Sequence, residues 1–159
     1  MSGLMGQDVS ESWDDAARVR RVRMLQVIAA AFLVAIGLYG VVATLAAKVP
    51  IQPGHEPAPY FAPILMVLAV LAIGVAPIVE RFVLSRSSDR PLATFFAASL
   101  MGLALREAGA VYGLIAALAT RNPGWFVAAA SVSIAAILFG WPRRAALDRY
   151  LDAHGGSRK

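Results

Sequence analysis

Four long apolar runs, set apart by short stretches rich in proline or arginine, leave this chain few ways to fold. They cover 24–47, 61–79, 92–120 and 124–141. Crossing about 30 Å of hydrocarbon takes about 20 helical residues, and these runs have that scale. Hydrocarbon offers backbone groups no water, so a spanning segment must be a helix or a closed barrel. The runs lack the polar alternation of a barrel strand. The expected fold class is therefore all-α, a four-helix transmembrane bundle.

Composition agrees. Hydrophobic residues make up 58% of the 159 positions and charged residues only 16%, well below the quarter usual in soluble domains. The absence of cysteine excludes disulfides, Cys-ligated zinc and thiol chemistry. A net charge of +5 would suit nucleic acid, but the basic residues sit at helix ends and in the tails, where membrane proteins keep them. The bilayer is the expected surrounding, and no nucleic-acid partner is expected.

Arginine placement gives a direction. Arg18, Arg20, Arg21 and Arg23 precede the first run; Arg81, Arg86 and Arg90 lie between the second and third. Arg143, Arg144, Arg149, Arg158 and Lys159 follow the fourth, whereas only Lys48 and Arg121 fall on the other side. The positive-inside rule then predicts a multi-pass protein of a bacterial-type inner membrane, both termini cytoplasmic. The organisation expected is a polar and basic segment (1–23), a transmembrane domain (24–142) and a basic tail (143–159). Ser12 and Asp15 have the spacing of a capping box and could begin a short helix. The five-proline stretch 50–63 is expected to be extended, and the tail to form one or two helical turns. A cleaved signal peptide fits poorly, because the first run is too long and no clear A-x-A site follows.

Segments 35–50 (AIGLYGVVATLAAKVP) and 108–123 (AGAVYGLIAALATRNP) match at an offset of 73 residues, with Tyr39/Tyr112, Gly40/Gly113 and Pro50/Pro123 identical. This suggests an internal repeat and hence two tandem helical hairpins. Where the first copy has Leu33 and Val34, the second has Arg106 and Glu107. Charges at that depth are rare and normally face protein or water.

Arg106 and Glu107 are the main candidate site. Successive helical residues point about 100° apart, so the two cannot face one partner squarely. Arg106 shares a face with Gly102, Gly109, Ala110 and Gly113, and Gly109-x-x-x-Gly113 lets another helix approach closely. That face is expected to be buried in the bundle or against a second copy. Tyr39, Gly40 and Tyr112 are further packing candidates. Glu80 is a candidate partner for Arg106 if helix tilt brings it near. Ser131 and Ser133 are expected to bond their own helix or to pack at an interface.

Segment 105–118, LREAGAVYGLIAAL, resembles the ion-carrying helix of rotary ATPase ring proteolipids of the subunit c type. Glu107, Ala108, Tyr112, Gly113 and Leu114 match that pattern of a membrane carboxylate, alanine and a Tyr-Gly-Leu segment. The resemblance implies proton or cation binding at Glu107. The chain departs from the family in carrying Arg106 beside the carboxylate and only Gly74 in the second run. An enzyme is not expected. His55 and His154 are isolated and there is no G-x-S-x-G elbow, phosphate loop or H-E-x-x-H helix. Neither a metal nor a cofactor is expected. The reading is a non-enzymatic membrane component acting through packing, self-association or another membrane protein, with ion movement through Glu107 as the alternative.

Overall fold

The computed structural model describes residues 4–50, 57–85 and 91–155, with side chains for 16–50, 57–85 and 91–153. Among them every regular element is α-helix: α1 (Leu4–Ala46), α2 (Phe61–Ser85), α3 (Pro91–Thr120), α4 (Gly124–Phe139) and α5 (Arg144–Gly155). The expected all-α bundle is present. Three helices are long and apolar enough to cross a membrane, or four if α4 and α5 count as one bent span. The chain is a membrane protein with several helices. Their outward faces carry the residues lipid would cover, such as Val34, Leu38, Val67, Val70 and Ile78.

The packed faces follow a seven-residue step. On α1 it runs Ala29, Ile36, Ala43; on α2, Ala62, Ala69, Ala76; on α3, Leu103, Ala110, Ala117. A 3.5-residue average period keeps one seam facing a neighbour only if helices wrap with a left-handed twist. Most of these positions are alanine, so the backbones come close and packing, rather than water release, holds the spans together.

Several boundaries differ from expectation. No helix starts at Ser12, because α1 is continuous from Leu4 to Ala46. Once the apolar part is helical, adding polar residues to its end carries no new nucleation cost. α2 continues through Pro77 to Ser85, six residues past the expected end of the span. α4 has only 16 residues, about 24 Å. It stops at Gly140, and the chain bends by 58° into α5. Pro142 cannot continue the helix. The tail helix is 12 residues, longer than the one or two turns expected.

The helices do not pair as two separate hairpins. α3 packs against α1, α2, α4 and α5, while α1 and α2 make no close approach. Residues 51–56 of the connection between α1 and α2, with His55, lie outside the described set. α3 and α4 do form a tight hairpin. Arg121 adopts a positive φ of 54°, and the Asn122 side-chain oxygen accepts the Gly124 N–H at 3.0 Å. Arg121 also donates to the Ala46 carbonyl at 3.2 Å, a cation at the negative end of α1. α1 and α3 therefore end side by side.

At the opposite end Val22, Leu25, Phe95, Leu147 and Tyr150 form a second cluster that docks α5 on α1 and α3. Gln26 fixes the bend there by donating to the Pro142 carbonyl at 3.0 Å. Arg18, Arg20, Arg21, Arg23, Arg143, Arg144 and Arg149 belong to this basic end. Arg86, Arg90, Arg158 and Lys159 lie outside the described residues.

Candidate functional site

Contacts at the α3 glycines set the register of the bundle. A Cβ on Gly102 would strike the Glu80 carboxylate, and one on Gly109 would lie 2.6 Å from Ile73 Cδ1 and 2.8 Å from Ser133 Oγ. One on Gly113 would run into the Ala129 methyl. Steps of seven on α2 and of four on α4 thus match steps of seven and four on α3, as expected of antiparallel neighbours. The face predicted around Gly109 and Gly113 is real, and α2 and α4 consume it. It is not open to a second copy, which corrects one of the two alternatives for these residues.

Arg106 lies on this face and is buried. In this register it is one turn deeper than Glu80. Helical side chains lean toward their own N-terminus, and α2 and α3 run in opposite directions, so the two lean toward each other. Arg106 Nη1 donates to Glu80 Oε1 at 2.6 Å, with the side chains 8% and 24% exposed. The guanidinium also lies over Gly140, where a Cβ would sit 2.7 Å from Arg106 Cζ. Gly102 and Gly140 are thus the floor and wall of the space that the ion pair fills. Glycine is required here by close approach rather than by backbone dihedral.

Glu107 is elsewhere. It faces the α1 edge of α3, and Tyr39 donates its hydroxyl to Glu107 Oε1 at 3.1 Å. Among the described residues this is its hydrogen-bond partner. Glu107 and Tyr39 are both half-buried, on the side where α1 and α2 leave α3 uncovered. Adjacent charges on one helix have opposite fates: Arg106 is neutralised inside the bundle, and Glu107 is held at its rim by one neutral donor.

No protein-family model, curated protein or solved structure matches this chain.

The remaining candidates fall into place around these two. Gly40 meets the Phe126 ring, whose Cε1 would be 3.1 Å from an added Cβ, so it joins α1 to α4. Tyr112 is half-buried and takes no part in the Glu107 contact. Ser131 donates to the Val127 carbonyl at 2.7 Å, as expected. Ser133 is buried against Gly109, and its hydroxyl has no hydrogen-bond partner among the described residues. Among the described residues no group of three potential metal ligands occurs.

Tyr39–Glu107 is the contact that the sequence did not announce. The two are 68 positions apart, and the repeat aligned Tyr39 with Tyr112 instead. A usable signal was present: Glu107 shares its helix face with Leu103 and Leu114, and Leu103 packs in the same cluster as α1 residues Ala29 and Ile36.

Proposed function

We propose that this chain is a non-enzymatic, multi-pass inner-membrane protein that assembles with a further transmembrane helix through the Tyr39–Glu107 edge. Its basic end is cytoplasmic, as the arginine bias favours. One observation carries the assembly reading: a half-buried carboxylate within a span has, among the described residues, a single neutral donor, while the nearest cation is committed to Glu80. A carboxylate at that depth is costly unless it is paired or protonated. The partner, a second copy or another membrane protein, completes the site by bringing a hydrogen-bond donor or a cation to Glu107. The similarity of 35–50 to 108–123 fits two units that diverged, with the second acquiring the contact residue.

The lack of native cysteine makes the test clean. Single cysteines at Ala104 on α3 and Val42 on α1 lie on helix surfaces beside the pair; Ile78 on α2 and Val127 on α4 serve as distant controls. Crosslinking in native membranes is expected to trap a partner at Ala104 and Val42, and Glu107→Leu to abolish it. Equal yields at the control positions overturn the reading.

A second reading, proton or cation binding at Glu107, is supported by the same separation of charges. Arg106, the feature least compatible with a reversible proton site, pairs with Glu80 instead. This reading expects pH-dependent flux in reconstituted vesicles that Glu107→Gln removes. Flux that is absent in the parent protein, or unchanged in the variant, overturns it.

A further inference from the structure

A cleft of about 180 Å³ opens at the basic end, bounded by α2, α3 and the bend between α4 and α5. α2 and α5 make no close approach, so nothing in the described bundle closes the gap between them. Its polar groups are few. Glu80 lines it with a carboxylate whose Oε1 is taken by Arg106, while Oε2 accepts from no other group among the described residues. Arg143 lines it too and is exposed, which leaves its guanidinium open to a ligand. Between them lie the apolar surfaces of Leu84, Phe95 and Trp141. A carboxylate and a guanidinium separated by apolar surface complement a ligand carrying both an ammonium and an anion.

We propose that this cleft holds the headgroup of an aminoalkyl phospholipid of the phosphatidylethanolamine type, ammonium on Glu80 and phosphate on Arg143. The inference rests on the reading that the basic end lies at the headgroup layer, where Trp141 is the kind of residue that anchors. Charge favours a primary ammonium. A choline headgroup has no N–H to donate to Glu80, and a glycerol headgroup offers it hydroxyls but no ammonium.

The full-length protein, delipidated in mild detergent, is offered phosphatidylethanolamine, phosphatidylcholine and phosphatidylglycerol at equal mole fraction, and bound lipid is read by native mass spectrometry. Phosphatidylethanolamine is expected to be retained over the other two by about tenfold, the scale of one charge-assisted hydrogen bond. Arg143→Ala, at an exposed position, is expected to lower its retention by a similar factor. Glu80→Gln, which still accepts from Arg106, is expected to remove the preference over phosphatidylcholine. Equal retention of the three lipids, or an Arg143→Ala variant that binds as well as the parent, overturns the proposal. Soluble phosphoethanolamine binding without selective lipid retention overturns it too. Quenching of Trp141 fluorescence by headgroup-level quenchers is the separate arm: quenching without lipid selectivity defeats this inference alone, and no quenching defeats the placement beneath it.

Discussion

Arg106 and Glu80 meet across two antiparallel helices, Nη1 to Oε1 at 2.6 Å, over a floor made by Gly102 and a wall made by Gly140. Neither residue lies level with the other. The contact exists because each side chain leans toward its own N-terminus and because two glycines leave room for the guanidinium.

The pair should therefore behave as a unit. Removing one partner leaves the other charge buried, an effect of about 3–5 kcal/mol in well-buried cases, with the partial exposure of Glu80 holding it to the low end. Arg106→Met or Glu80→Leu alone is expected to lower thermal stability in detergent markedly. The double variant should recover much of the loss, and a double-mutant cycle that is additive contradicts the unit.

Glycine positions separate by what they touch. Gly113→Ala forces a methyl into Ala129 on α4 and should destabilise by about 1–3 kcal/mol, the usual range for overpacking. At Gly37 and Gly74 an added Cβ meets nothing within 4 Å. There alanine should be neutral or gain up to about 1 kcal/mol from helix propensity. Unfolding midpoints of the three variants check the order.

Ser133 presents a buried hydroxyl without a partner among the described residues. Replacing it with alanine deletes an unsatisfied polar group while keeping the contact with Gly109 close to its present size. Ser133→Ala should stabilise the protein by about 1 kcal/mol or more, read as a raised midpoint. A lowered midpoint would mean that the hydroxyl has a partner.

Much of the layout was legible from the chain alone. The third helix begins at Pro91 and ends at Thr120, one residue from the expected start, because proline and the arginine-bearing loop punctuate it clearly. The buried face of Gly102, Arg106, Gly109 and Gly113 was legible because helical period alone defines it. What escaped depends on tertiary choices. The separation of α1 from α2 is not written in any local pattern, since a long proline-rich connection allows either arrangement. The early stop of α4 needs the bend at Gly140–Pro142 to be weighed against an apolar run that continues to Trp141. Tyr39–Glu107 needs the parallel register of α1 and α3.

Tyr150 on α5 stacks at 5.8 Å from Phe95 in a tilted arrangement, and burial pushes its hydroxyl above the ordinary pKa of 10.0. A raised pKa means the docked helix prefers the neutral phenol. Its contribution is complete below pH 10 and is lost as pH rises through the folded-state value. The hydrogen-exchange protection of α5, the observed rate divided into the intrinsic one, should be flat across neutral and mildly basic pH and should fall above about pH 10. In Tyr150→Phe that fall should vanish.

The most direct measurement of the central claim is the mass of the complex recovered by gentle extraction from native membranes. The parent protein is predicted to emerge bound to a second subunit. Tyr39→Phe should weaken that complex, and Glu107→Leu should release a folded monomer with its helical content intact. A parent protein that emerges alone, or a Glu107→Leu complex of unchanged mass and abundance, would contradict the Tyr39–Glu107 edge as the point of assembly.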